Sequence, residues 1–184
     1  MGDIEFFKKE ETNLLRRCVN WVIDIIVAIA LACFIVRAFG IQVEVAGNSM
    51  SPLLNSGDVV LIDQFLYDLT GPKRFDVVVF EREDAKVNIK RIIGLPGETV
   101  QITEGRIWID GERLEEPADQ KKIALAGLAE TPVTLGEDEY FLLGDNRDSS
   151  EDSRFVNVGN VKAGQIKGKV WFRVYPALGM GRVQ

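Results

Sequence analysis

Asn88-Ile89-Lys90-Arg91-Ile92-Ile93-Gly94-Leu95-Pro96-Gly97 reads as a buried strand closed by a Leu-Pro-Gly turn. If its side chains alternate, Lys90 shares a face with Ile92 while Ile89, Arg91 and Ile93 point the other way. Similar short β-type runs lie on both sides: Ile41–Val45, Asp58–Asp63, Asp76–Phe80, Glu98–Thr103, Arg106–Ile109, Glu139–Leu143 and Lys167–Val174. Turn signals separate them, among them Asn55-Ser56-Gly57, Gly71-Pro72, Glu104-Gly105 and Asp110-Gly111. Many strands with no long helical pattern between them predict a mainly antiparallel β domain. Gln120–Glu130 is ambiguous, helix-compatible in composition yet equally readable as a loop over the sheet.

Upstream of these strands the pattern changes. Val19–Val36, VNWVIDIIVAIALACFIV, is apolar apart from Asn20 and Asp24. That length meets the requirement of about 17 to 25 apolar residues for a spanning helix, and Trp21 suits an interface. It exceeds the ~7–15 apolar residues of a cleaved signal segment, and its length disfavours a buried core helix. Lys8, Lys9, Arg16 and Arg17 precede it, whereas Arg37 is the only cation after it before Lys73. The positive-inside rule then predicts a cytoplasmic segment over 1–18, a transmembrane helix over 19–36 and an extracytoplasmic domain over 37–184.

Composition removes several chemistries. The chain has no histidine, which excludes Ser-His-Asp and Cys-His catalysis and the usual zinc sites. Lysine and the carboxylates remain as general bases. The two cysteines, Cys18 and Cys33, lie in or beside the apolar stretch and cannot staple the rest. A net charge of −6 argues against nucleic-acid binding.

Three segments carry candidate chemistry. In Gly47-Asn48-Ser49-Met50-Ser51-Pro52 a serine sits between a strand end and a Pro-containing turn, although Ser beside Pro is also ordinary turn chemistry. Lys90 on an apolar face is costly to keep charged, and desolvation lowers its pKa until a neutral amine can take a hydroxyl proton. Taken alone, a lysine snorkelling at a sheet edge explains the same pattern. The third segment, Gly144-Asp145-Asn146-Arg147-Asp148-Ser149-Ser150-Glu151-Asp152-Ser153-Arg154, is denser in polar groups than a turn requires. It suits an ion-paired cluster that orients a neighbouring group. Calcium binding is the competing reading, against which Arg147 and Arg154 argue.

In this order after one N-terminal anchor, the three segments resemble the bacterial type I signal peptidases. The Ser49-Met50-Ser51-Pro52 and Gly144–Arg154 motifs carry most of the likeness, which extends through Asp76–Phe80 to Gly168–Arg173. The resemblance implies an antiparallel β catalytic domain of the signal peptidase and self-cleaving repressor type, with a small β insertion over 98–138. It implies Ser49 as nucleophile and Lys90 as general base, with Ser150 hydrogen-bonded to the Lys90 amine. Asp152 and Arg154 would maintain the loop, and Asp145 would pair with Arg91 or Arg147.

The Ser49 backbone N–H would serve the oxyanion hole. Gly47 stands where some members carry a hydroxyl, as it does in the short Gram-positive forms, which leaves the second oxyanion donor open. Phe75 stands where glycine is common. Val45, Met50, Leu54 and Ile89 would line shallow pockets selecting small residues, in an Ala-x-Ala pattern. The implied reaction is removal of signal peptides from exported preproteins, with no metal or cofactor. The bilayer and a preprotein would be its partners, close to the export machinery. A self-cleaving Ser/Lys protease and an inactive, membrane-tethered peptide binder are the alternatives.

Overall fold

The computed structural model describes residues 3–82, 84–116 and 122–183, with the backbone alone at residues 3–13, 37–39 and 66. Two compact units result, Met1–Ala38 and Phe39–Gln184.

The first unit is a single helix, α1 (Asp3–Phe39). Its stretch Leu14–Val36, 23 residues, is long and apolar enough to cross a membrane. At ~1.5 Å per residue it is about 35 Å long, against ~30 Å of hydrocarbon core. Ile25, Ile26, Val27 and Ile29 are successive around the helix and all exposed. A helix apolar on every side finds its favourable solvent in lipid. Cys18 and Cys33 are free and exposed. Among the flanking cations, the side chains of Lys8, Lys9 and Arg37 lie outside the described residues.

The second unit is built from strands β1 (Ile41–Glu44), β2 (Val59–Asp63), β3 (Val77–Glu81), β4 (Val87–Gly94), β5 (Thr99–Thr103) and β6 (Arg106–Ile109). After them come β7 (Glu112–Arg113), β8 (Val133–Thr134), β9 (Glu139–Leu143), β10 (Val161–Lys162), β11 (Ile166–Tyr175) and β12 (Gly181–Arg182). The main sheet runs β1-β2-β11-β3-β4-β9-β10 with β12 on β11, and β7-β6-β5-β8 form a smaller sheet. Every pairing is antiparallel. β4 and β9 are neighbours, yet the whole small sheet lies between them in the chain. A short helix, α2 (Phe65–Thr70), follows β2.

Sequence pattern explains which strands lie where. β2, β5 and β6 alternate between buried and half-buried positions, as one-sided strands do, whereas the Val-Val-Val-Phe run of β3 is buried throughout. β4 is buried from Ile89 to Gly94. The expected alternation therefore separates two buried environments rather than core from solvent. Ile89 joins a core with Val45, Met50, Leu54, Val60, Val77 and Val79. Ile93 joins a second with Val100, Ile107, Phe141 and Leu143, under the small sheet. Ile92, on the face of Lys90, joins a third with Val78, Phe80, Tyr140 and Leu142. Val45 and Ile89 share a core although β1 and β4 stand well apart in strand order, so the sheet curls around that core.

The longer runs match the expected strands within a residue or two. The two-residue strands β7, β8, β10 and β12 and helix α2 were not anticipated. Within the ambiguous Gln120–Glu130 stretch, residues 120 and 121 lie outside the described ones, and Gly127–Glu130 forms one 3-10 turn.

Candidate active site

Ser49 lies in the loop between β1 and β2. The loop is pinched at its base, where Val45 N–H donates to Asp58 O at 2.8 Å and Gly57 N–H donates to Val45 O at 2.9 Å. Met50 and Leu54 root it in the first core, and Leu54 N–H donates to Met50 O at 2.9 Å. Arg173 holds the far end, donating from Nη1 to Leu53 O at 2.9 Å and to Asp58 Oδ2 at 3.1 Å. Ser49 is half-buried, so its hydroxyl is supported without being sealed.

Lys90 approaches it from β4, paired across the sheet with Val78. Its Nζ lies 2.8 Å from Ser49 Oγ, and the residue is 3% exposed. Burial brings the amine down to about 8; Asp152 and then Glu151 act in the opposite sense, and Arg82 reinforces the drop. Desolvation wins because both acids are themselves engaged with arginines.

The Gly144–Arg154 loop is part of the interior. Asp145, Arg147, Ser150, Asp152, Ser153 and Arg154 are all buried. Asp145 Oδ1 and Oδ2 each accept from Arg91 at 2.8 Å, and Arg91 also donates to Phe75 O at 2.8 Å. Of the two partners expected for Asp145, the structure selects Arg91. Arg147 instead donates to Glu116 and, from Nε, to Gly144 O at 3.0 Å. Arg154 donates to Asp152 Oδ1 at 2.8 Å and to Oδ2 at 2.9 Å, and its Nη2 donates to Arg147 O at 2.8 Å. Asp152 Oδ2 accepts from Gly144 N–H at 3.0 Å. The loop is thus fastened at both ends by fork-shaped ion pairs.

Asn146 links this loop to the serine. Its backbone N–H donates to Ser49 O at 3.0 Å and its Nδ2 to Asn48 O at 3.1 Å. The sequence reading placed Asn146 in the motif without a role. Glu116 was not singled out, since nothing local marks it as the partner of an arginine 31 residues downstream.

Two expectations need correction. Ser150 is buried, but among the described residues its Oγ has no hydrogen-bond partner, so the expected bond to Lys90 is not made. It lies instead against Gly144, where an added Cβ would collide with Ser150 Oγ and with Ser49 O. The Gly47 N–H donates to Ser56 Oγ at 3.3 Å and is committed within the loop. With φ of +80°, that position also disfavours any side chain, hydroxyl-bearing or not. The second correction concerns Val45, Met50, Leu54 and Ile89, which share one core with Met50 and Leu54 sealed inside it. Leu54 is 0% and Met50 1% exposed, so they support the site from beneath and present no wall to it.

Phe75 acquires an explanation. Its φ is +70°, where glycine is at ease, and its ring packs against the second core while its carbonyl accepts from Arg91.

The chain is similar in sequence to proteins of one known family. Residues 18–175 match the family described as "Signal peptidase, peptidase S26". Signal peptidase I of Bacillus amyloliquefaciens is 34% identical over 176 residues, covering 92% of this chain and 94% of that protein. Signal peptidase I S of Bacillus subtilis is 32% identical over 177 residues, covering 92% and 95%. A solved signal peptidase I from Enterococcus faecalis is 32% identical, with a TM-score of 0.46 over 55% of this chain and 97% of that one. A mainly antiparallel β protein with an N-terminal apolar helix, matched over nearly its whole length, this chain belongs to the signal peptidase family of serine endopeptidases.

Proposed function

We propose that Ser49 is the nucleophile and Lys90 the general base of a membrane-anchored signal peptidase I that cleaves preproteins after small residues. The observation that carries this reading is the 2.8 Å separation of Ser49 Oγ from the buried Lys90 Nζ. A neutral amine takes the hydroxyl proton as Oγ attacks the scissile carbonyl. The resulting ammonium gives that proton to the leaving amine, and the acyl-enzyme ester is hydrolysed by water activated by the same amine. The Ser49 backbone N–H is the proposed oxyanion donor.

Two open edges support binding of the cleavage region as an added strand. β1 pairs with β2 on one side only, and β9 pairs with β4 only from Arg91 onward, leaving the Val87–Lys90 half open on that side. Val45 and Ile89 are almost wholly buried at these edges, a shallow floor that favours short side chains at the cut. In the proposed topology 1–18 is cytoplasmic and 19–36 spans the membrane. Residues 37–184 are the extracytoplasmic catalytic domain, with 98–138 as an insertion on it.

Purified full-length protein in detergent tests this with a preprotein ending its signal in Ala-x-Ala. Ser49→Ala and Lys90→Arg should each abolish cleavage, because a guanidinium stays protonated. Wild-type kcat/KM should rise with pH through about 8, where the Lys90 amine loses its proton. Activity retained in Lys90→Arg sinks the assignment.

A further inference from the structure

Arg82 closes the hairpin between β3 and β4. Its N–H donates to Lys86 O at 2.9 Å and its carbonyl accepts from Ala85 N–H at 3.0 Å. The guanidinium reaches from the hairpin to the loop after β9. Nη1 donates to Glu151 Oε2 at 2.8 Å, Nη2 donates to Asn157 O at 3.0 Å, and Asp84 Oδ1 lies 3.6 Å from Nε. Asn157 Nδ2 also donates to Glu151 Oε1. Glu151 stands between Ser150 and Asp152, so one side chain of the hairpin grips the loop where its carboxylates act on the proposed base.

This grip is independent of the buried fastenings. Asp152, Ser153 and Arg154 already tie the loop to Gly144, Leu142 and Leu125. The Arg82 side chain is 11% exposed and that of Glu151 54%, a partly wet pair with little to add to stability.

Charge is where the pair matters. Lys90 faces Ser49, the apolar Val78 of β3, and the loop carboxylates Glu151 and Asp152, the latter neutralised by Arg154. Arg91 and Asp145 cancel one another on the opposite face of β4, and Lys86 with Asp84 occupies the hairpin tip. We infer that Arg82 and Glu151 are positioning residues for this reaction, their ion pair clamping the β3–β4 hairpin to the Ser150–Asp152 segment and balancing opposite charges around the Lys90 amine. The inference rests on the Ser49/Lys90 reading.

Its signature is a pair of opposite displacements. Glu151 favours the ammonium and Arg82 disfavours it. The acid limb of kcat/KM against pH should therefore move down in Glu151→Gln and up in Arg82→Gln, by about half a pH unit each for partly screened charges. Both displacements should shrink at ~1 M salt. Loss of a merely structural contact would move both variants the same way. The exchanged variant Arg82→Glu/Glu151→Arg should regain most of the kcat lost by either single reversal.

The full-length protein in detergent is used throughout, with a thermal melt for each variant. If one single variant does not fold, the direction of the other and the exchanged pair decide. Displacements of the same sign, or none, with the wild-type limb present, overturn the clamp and leave the Ser/Lys pair standing. A wild-type profile without a limb near 8 overturns the Ser/Lys reading and the clamp with it.

Discussion

Lys90 is held in a place where its charge is unwelcome, and the cost has a definite pH window. Its pKa falls from 10.5 to about 8. Below about 8 the folded state carries a buried ammonium that the unfolded chain would keep in water. Between about 8 and 10.5 the folded protein sheds that proton first, so stability rises with pH across the window. An apolar lysine-sized replacement avoids the penalty. Lys90→Met should be inactive yet more stable than wild type at pH 7, by about 3 kcal/mol for a displacement of that size. The gain should vanish above pH ~10.5, as urea midpoints at several pH values would reveal. Phe75 makes a second prediction at this scale. Phe75→Ala keeps the left-handed backbone but loses the packing, whereas Phe75→Gly loses the packing alone. The glycine variant should be the more stable of the two by about 1 kcal/mol, reversing the usual order.

Among the elements, the loop between β9 and β10 behaves as core. Asp145→Ala strands the Arg91 guanidinium, a buried charge deprived of its bidentate partner, and should cost about 3–5 kcal/mol in chemical denaturation. Gly144→Ala is a sharper probe, since the added methyl collides with both Ser150 and Ser49 O. It should lower kcat at least tenfold while the protein still melts cooperatively. The strands that frame this loop were legible because long apolar runs punctuated by Gly and Pro carry their own period. β10, β12 and α2 were not, since two to six residues hold too little pattern to stand out. In the site, the residue types were legible and the pairings only partly so. Asp145 had two plausible arginines, and the choice depends on β4–β9 register. Arg147 and Glu116 meet only because the small sheet folds back, which no local spacing encodes. Ser49 and Lys90 come from different loops and strands of a curled sheet; only the family resemblance joined them beforehand.

At the scale of the molecule, the proposed reading assigns anchoring to the first unit and chemistry to the second. A chain beginning at Phe39 retains every contact described for the second unit. It should unfold at the same urea midpoint and cleave a water-soluble signal-peptide mimic at a wild-type rate, while losing most activity on preprotein in liposomes. A drop on both substrates would show that the helix contributes to the catalytic fold. The order of the strands also bears on biosynthesis. β4 leaves the ribosome well before β9, yet the two are neighbours in the finished sheet, and the loop whose Asp152 and Glu151 act on Lys90 follows β9. On the proposed Ser/Lys reading, Lys90 keeps an ordinary amine and leaves Ser49 unactivated until the segment after β9 has joined the sheet. A nascent protease of this design would stay harmless to its neighbours until that pairing is complete.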